Sequence, residues 1–193
     1  MNTPVSILEV GAGTGSLWVA NAKGLPSSVR LVITDFSPGM LEIAERQVTE
    51  AGVRAQLAIV DVQELPYASA TFHGVIADHM LYHVPDRTKA LGEIARVLRP
   101  DGWLAAATNG AQHLGELDQL IARFIGADAV LPSLPFSLEN GPAQLDEWFG
   151  AVELRRFPPH DLDVTDSQPI VDYIHSLPGG HRLDDASAQR LRQ

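Results

Sequence analysis

Three glycines at alternate positions lie close to the start of the chain, in the stretch ILEVGAGTG: Gly11, Gly13 and Gly15. Glycine lets a ligand approach the backbone because no Cβ stands in the way. A dinucleotide fingerprint would need its third glycine at position 16, where Ser16 stands, and no Gly-Lys-Ser/Thr follows as in a phosphate-binding loop. Glu9 precedes the glycines, and its carboxylate would lie near a pyrophosphate. The stretch therefore favours a ligand with a cationic group.

Two aspartates follow predicted strands in the same way as the glycines do. Asp35 ends the stretch VRLVITD, about 20 residues after the glycines, and Asp61 ends AQLAIVD. In an open α/β sheet, ligands bind beyond the carboxyl ends of the strands, and an acidic side chain after the second strand accepts hydrogen bonds from a ribose diol. The pattern predicts a ligand with a ribose, a base and a positively charged amino-acid tail.

A third set of reactive side chains stands in DHMLYH, directly after the fourth predicted strand: His79, Tyr82 and His83. Transfer of a group to an alcohol, a phenol or an acidic carbon is helped by a general base, and histidine is well suited to that role. His79 is the best candidate for the base, although it could only line the pocket. The spacing of the two histidines could suit a metal on a helix, but no further ligand has the expected spacing, so no metal is predicted.

Strands and helices that alternate along the chain would position these residues at the ends of the strands. Short apolar runs predict five strands, at residues 5–10, 29–35, 55–61, 72–79 and 103–108. Helices are predicted between them at 16–24, 37–52 and 88–102; the second has Ser37 as N-cap and an apolar face that includes Met40, and Pro100 and Gly102 stop the third. The alternation predicts a parallel sheet covered on both faces.

The chain changes character after Asn109. A helix is predicted at 113–130, a loop rich in proline and glycine at 131–142, a short helix at 143–150, and a hairpin from 151–157 and 160–166. The leucine, phenylalanine and proline content of 110–141 suggests an apolar lid over a substrate, with a dimer contact or core packing as alternatives. We expect one domain over residues 1–193.

Composition limits the classes of partner. The 193 residues carry 14 Lys and Arg against 24 Asp and Glu, a formal net charge of −10 that disfavours nucleic acid. No apolar run reaches the roughly 20 residues of a membrane-spanning helix, and the first residues do not resemble a signal peptide. With no cysteine, the chain cannot form a disulfide, which fits a cytoplasmic protein. The oligomeric state is left open.

The chain resembles the class I S-adenosylmethionine-dependent methyltransferases, in the small-molecule branch similar to methyltransferase type 11. The resemblance runs from Ile7 to Thr108 and rests on LEVGAGTG, ITDFSPGML, VDVQELPYASATFHGVIADHMLYHV and LGEIARVLRPDGWLAAAT in this order. It implies an α/β, Rossmann-like, doubly wound and mostly parallel seven-stranded sheet with the last strand antiparallel. The family usually has one or two helices before its first motif, and here these are expected to be missing.

The resemblance also implies S-adenosylmethionine as cofactor, methyl transfer to a small, partly apolar acceptor, and a role for each matching residue. Glu9 and Gly11 would lie near the methionine part, with Gly13 and Gly15 in the loop beneath it. The remaining implied contacts are Asp35 with the ribose hydroxyls, Phe36 and Met40 with the adenosine, Asp61 and the backbone of Val62 with the adenine, and Asp78 with the methionine amino group and the reactive methyl. For Phe36 and Met40, ordinary core contact is an equal alternative.

Three other functions remain open from the sequence. A non-catalytic module that binds S-adenosylmethionine would keep the same pocket. A nicotinamide-dependent oxidoreductase is disfavoured by Ser16 and Glu9, and aminopropyl transfer would call for further acidic residues around an amine substrate. The acceptor and the atom that is methylated are not specified by these patterns.

Overall fold

A five-stranded parallel sheet is formed by strands within residues 5–107. The computed structural model describes residues 4–124, 134–157, 164–176, 183, 187 and 189. The strands are β1 (Val5–Glu9), β2 (Val29–Asp35), β3 (Ala55–Ile59), β4 (Phe72–Asp78) and β5 (Leu98–Ala107), in the spatial order β3-β2-β1-β4-β5. Because the chain order reverses between β1 and β4, the carboxyl ends of these two strands flank the crevice where such sheets bind ligands.

Helices connect the strands and continue after them. They are α1 (Ser16–Asn21), α2 (Pro38–Glu50), α3 (Arg87–Val97), α4 (Gly115–Phe124), α5 (Gly141–Asp146) and α6 (Gln168–Ser176), with short 3-10 helices at Ala22–Gly24 and Leu81–His83. Side-chain caps fix two helix starts: the Ser37 hydroxyl accepts from the Met40 N–H, and the Asp86 carboxylate accepts from the Lys89 N–H. Such caps satisfy N–H groups that have no partner within the helix.

The sheet separates two apolar clusters. Successive residues of a strand point to opposite faces, so Leu31 and Ile33 pack with Trp18 and Val48 on one side, while Val32 packs on the other side in the cluster that contains Leu8 and Ile94. Both faces of β1 and β2 are therefore buried, which explains why these strands read as continuous apolar runs instead of alternating ones.

The chain divides into two compact units. The first comprises Met1–Gly110 and Pro135–Glu153 and contains the whole sheet; the second comprises Ala111–Leu134 and Leu154–Gln193. In the second unit, Ile121 of α4 packs with Val171 and Ile174 of α6 and with Leu183.

The strand count differs from the prediction. Within the described residues the sheet has five parallel strands. The prediction of seven strands with an antiparallel last strand is therefore wrong for this part of the chain. Residues 151–157 form no strand, and their apolar side chains Leu154 and Phe157 are exposed. A strand is stabilised mainly by the packing of its side chains, and the side chains of Leu154 and Phe157 are too exposed to provide it. Of the predicted partner strand, residues 160–163 lie outside the described residues.

The end of α3 and the start of β5 also differ from the predicted positions. Helix α3 ends at Val97 and β5 begins at Leu98, so Pro100 and Gly102 do not stop the helix but lie within the strand. Proline is tolerated there because β5 is at the edge of the sheet, and the register is irregular between Phe72 and Gly74 on β4. The predicted helix at 113–130 is observed as α4 at Gly115–Phe124, and residues 125–130 of that prediction lie outside the described residues. Helix α6 was not predicted.

Candidate functional site

The glycine loop after β1 is attached to the neighbouring strand. The Ala12 N–H donates to the Thr34 carbonyl at 2.9 Å, and Gly11 has φ +64°, in the left-handed region that favours glycine. A Cβ on Gly11 would stand 2.6 Å from Met80 Cβ, so the loop passes directly against the residue that follows β4 and His79. The loop of β1 and the loop of β4 are therefore fitted to each other at the switch point.

The Asp35 carboxylate joins that loop to the next helix. Its Oδ2 accepts from the Gly13 N–H at 2.7 Å, and its Oδ1 accepts from the Ser37 N–H at 2.8 Å. Each carboxylate oxygen has two lone-pair positions, so both can accept a further hydrogen bond from a ligand. A Cβ built on Gly13 would meet no heavy atom within 4 Å, which leaves open space above the loop.

Glu9 is a buried acid at the carboxyl end of β1. It is 1% exposed, and its Oε2 accepts from the Trp18 indole N–H at 2.5 Å. Burial raises the pKa of Glu9 to about 7; the Trp18 hydrogen bond opposes this rise, and the nearby charges of Asp78 and Asp35 add to it. Three acids thus share one end of the sheet. A cation placed among them would favour their charged forms.

Asp61 lies beyond β3 in a hydrogen-bond group of its own. Its Oδ1 accepts from the Gln63 N–H at 2.8 Å, and the Gln63 side-chain amide donates to both carboxylate oxygens at 3.0 and 3.1 Å. The side-chain amide oxygen of Gln63, Oε1, accepts a hydrogen bond from the Asp86 N–H at the start of α3. Val62 is buried with its side chain in the core, so only its backbone is available to a ligand.

His79 has an unusual backbone conformation for its residue type. Its φ is +51°, and its N–H donates to the Ala107 carbonyl at 3.1 Å, which continues the pairing of β4 with β5. Strained conformations of this kind in residues other than glycine cluster at functional sites. His79 Nε2 lies 4.0 Å from Asp78 Oδ1, and the rings of His79 and Tyr82 form an edge-to-face pair with centroids 6.5 Å apart. Burial, followed by the charge of Asp78, raises the pKa of Tyr82.

Phe36 and Met40 do not belong to the core. Phe36 is 72% exposed and Met40 is 45% exposed, whereas Leu41 and Ala44 of the same helix region are buried. Core contact for these two side chains is therefore wrong, and Met40 lies outside the buried face of α2. Large apolar side chains exposed next to a polar loop are available to a ligand.

Hydrogen bonds and close contacts link only part of the predicted site. Direct contacts join the glycine loop to Asp35, and the charge of Asp78 acts on Glu9, while the hydrogen bonds of Asp61 link it to Gln63 instead. Three residues that contact this site were not predicted from the sequence: Trp18, Met80 and Gln63. Trp18 is the third residue of α1, in the turn that follows the glycine loop, and that position could have indicated a partner for Glu9.

Two kinds of feature are absent from the described residues. No group of three or more His, Asp or Glu side chains in those ranges could hold a metal ion. None of the helices given above is both long enough and apolar enough to cross a membrane.

Comparison with known proteins gives a family match over the region of the site. Residues 7–102 match the family model described as "Methyltransferase domain". The matched segment begins in β1 and ends in β5, so it contains the glycine loop and all the acids discussed above.

Two curated relatives are similar to this chain. The ubiquinone/menaquinone biosynthesis C-methyltransferase UbiE of Bordetella parapertussis is 32% identical over 100 residues, which are 52% of this chain and 39% of that protein. The malonyl-[acyl-carrier protein] O-methyltransferase of Hahella chejuensis is 33% identical over 136 residues, which are 66% of this chain and 48% of that protein. The chain spans less than half the length of either relative.

A solved structure extends the likeness of the fold beyond the matched segment. A protein of Bacillus halodurans that is a methyltransferase by name has 20% sequence identity and a TM-score of 0.62, covering 98% of this chain and 84% of that one. At this identity the comparison supports the fold alone.

Proposed function

We propose that residues 7–102, which match the methyltransferase family model, form a class I S-adenosylmethionine-dependent methyltransferase domain, and that the chain transfers a methyl group from S-adenosylmethionine to a small, partly apolar acceptor. The observation that carries the proposal is the Asp35 carboxylate, which holds the glycine loop and the start of α2 together and keeps lone pairs for a ligand. A ribose diol offers two hydroxyl donors to such a carboxylate.

The residues present fit the cofactor along its length. The open space above Gly13 would admit the ligand next to the loop backbone, with Gly11 and Gly15 shaping the turn on either side. The exposed Phe36 and Met40 would contact the adenosine. Asp61 would accept from the adenine amino group, with Gln63 holding its carboxylate in place, and the Val62 backbone would complete the contact.

The acids at the end of β1 and β4 fit the charged end of the cofactor. Glu9 and Asp78 would lie near its ammonium group, and Asp78 also near the reactive methyl. A positive charge next to the buried Glu9 carboxyl would favour loss of its proton, so binding and ionisation should be coupled. The bound cofactor supplies an electrophilic methyl group, and the task of this chain is to position the acceptor in line with it.

His79 would act as the general base. The names of the two relatives refer to C- and O-methylation, and an acidic carbon or a hydroxyl group loses a proton when it is methylated, whereas a carboxylate acceptor would need no base. The imidazole of His79 would take that proton, and the Asp78 carboxylate, 4.0 Å from Nε2, would stabilise the imidazolium that forms. For this chain, the acceptor class, the substrate lid at 110–141 and a cytoplasmic location remain predictions.

Turnover measurements test the proposal. The chain is incubated with methyl-labelled S-adenosylmethionine and a panel of phenols, quinols and carboxylic acids, and transfer of label to the acceptor is measured. We expect His79→Gln to lower turnover by about 100-fold or more while leaving S-adenosylhomocysteine binding intact, because a general base contributes roughly 10²–10⁴ to the rate. Full turnover by His79→Gln would remove it from the mechanism.

The alternative is a module that binds S-adenosylmethionine without catalysis. The family match supports this alternative equally, because residues 7–102 contain the predicted cofactor-binding residues and do not include the predicted lid at 110–141. Cofactor binding without label transfer to any acceptor of the panel would support this alternative over methyl transfer.

A further inference from the structure

The amino ends of β2 and β3 carry a second candidate site. An open groove of about 460 Å³ lies there, and its lining includes Ser27, Ser28, Arg30, Arg54 and Gln56. Because the strands are parallel, this groove lies at the edge of the sheet opposite to the glycine loop. Its volume is within the range of small-molecule sites.

The strand register places the two arginines side by side. Leu31 of β2 pairs with Ala55, the first residue of β3, so Arg30 and Arg54 each come one residue before this pair, Arg30 on β2 and Arg54 just before β3. Residues at matching positions of parallel strands point to the same face of the sheet. Both arginines are exposed, and both line the groove.

Neither arginine has a partner among the described residues. Arg46, Arg96 and Arg99 form ion pairs with carboxylates, whereas the side chains of Arg30 and Arg54 have no ion pair or hydrogen bond within the described residues, although the chain carries ten more acidic than basic residues. Like charges on adjacent strands repel each other and destabilise the pair. An anion between the two guanidinium groups would convert this repulsion into two attractions.

We propose that this groove binds a phosphate ester of a small molecule, with Arg30 and Arg54 holding the phosphoryl group. A phosphate monoester carries close to two negative charges near neutral pH, which two guanidinium groups neutralise. The planar guanidinium presents two parallel N–H donors that match phosphate oxygens. The hydroxyls of Ser27 and Ser28 and the amide of Gln56 supply further polar groups for the rest of the ligand.

Calorimetric titration of the full chain with phenyl phosphate tests the site, with inorganic phosphate and malonate in parallel at constant ionic strength. We expect saturable binding of phenyl phosphate, weaker binding of inorganic phosphate, and the weakest binding of malonate. Arg30→Gln and Arg54→Gln should each lower the affinity for phenyl phosphate by about tenfold, since each removes a hydrogen bond to a charged group. Arg30→Lys should also lower the affinity for phenyl phosphate, because lysine keeps the positive charge but lacks the two parallel N–H donors of the guanidinium group.

Arg99→Gln is the matched control, because Arg99 is an exposed arginine that already pairs with Asp101. It should bind phenyl phosphate like the wild type. Equal losses in Arg99→Gln and Arg30→Gln would show that the anion senses only the overall charge, and would overturn the proposal. Absence of phenyl phosphate binding by the folded wild type, or tighter binding of malonate, would overturn it as well.

Discussion

The two edges of the sheet differ in charge and in how that charge is held. At the carboxyl edge, Glu9 and Asp35 are buried and their oxygens accept hydrogen bonds from Trp18 and from backbone N–H groups. At the amino edge, Arg30 and Arg54 are exposed and have no partner among the described residues. The single strand β2 joins the two, with an arginine near its start and an aspartate at its end.

This difference shows which charges belong to the fold. An acid that is buried and hydrogen-bonded contributes to stability and to the ligand site together, so substitutions there should change both. Exposed arginines without partners contribute little to stability, so substitutions there should change ligand binding alone. The predictions below test this contrast, beginning with the largest expected effect.

Glu9 should make stability fall as the pH rises. Its pKa is raised from 4.5 to about 7 by burial, so between these pH values the folded chain holds a proton that the unfolded chain releases. Stability from this group is complete below pH 4.5 and is lost as the pH rises towards 7, by a total of about 3 kcal/mol. Denaturant unfolding of the wild type and Glu9→Gln across this range measures the difference.

Glu9→Gln should have a flatter stability profile than the wild type, because its amide oxygen still accepts from Trp18 and does not titrate. Glu64→Gln, at an exposed position, should reproduce the wild-type profile. A wild type and Glu9→Gln with parallel profiles would show that Glu9 is already charged in the folded chain.

Asp35→Ala should lower both stability and cofactor affinity. The substitution leaves the Gly13 and Ser37 N–H groups without their acceptor, which costs about 1 to 3 kcal/mol of the free energy of unfolding. Asp35→Asn keeps one acceptor oxygen and should lie between the wild type and Asp35→Ala in chemical denaturation. Equal stability of all three would mean that the carboxylate does not hold the loop.

Gly11→Ala and Gly13→Ala form a matched pair within the glycine loop. Both positions have positive φ, so each alanine should cost about 1 to 2 kcal/mol of stability from backbone strain. Only the methyl group on Gly11 would also overlap Met80, so thermal unfolding should rank Gly11→Ala as less stable than Gly13→Ala. The reverse ranking would contradict the close packing of the two loops.

Arg30→Gln should change stability by no more than about 0.5 kcal/mol in a buffer without phosphate, as is usual at exposed positions. Arg96→Gln is the positive control, because Arg96 donates to the Glu93 carboxylate and to the Tyr67 and Leu65 carbonyls. It should be destabilised by about 1 to 3 kcal/mol in the same denaturation assay. A comparable loss in Arg30→Gln would give that arginine a role in the fold.

The local signals of the first half of the chain predict its structure closely. VRLVITD is a strand over the predicted residues 29–35, and Ser37 caps α2 as expected. The strand is buried on both faces, and the helix begins at a strong capping residue. In both cases the local sequence preference agrees with the tertiary packing. The position of the glycine loop next to Asp35 follows from the same strand ends.

The partners inside the site were harder to predict. The hydrogen bond between Trp18 and Glu9, and the contact of Met80 with Gly11, depend on how separate elements approach each other, which no local pattern encodes. The segment 151–157 was predicted to be a strand of a hairpin, but its exposed side chains Leu154 and Phe157 do not support one. Tertiary context decided both cases.

Calorimetric titration of the wild-type chain with S-adenosylhomocysteine, with NADH as competitor and Asp35→Ala as the variant, tests the central claim most directly. We predict saturable binding that NADH does not displace, and an affinity about tenfold or more lower in Asp35→Ala, from the loss of hydrogen bonds to a charged group. Absence of binding by a wild type that circular dichroism shows to be folded, or displacement of the ligand by NADH, would contradict the assignment of this edge to S-adenosylmethionine.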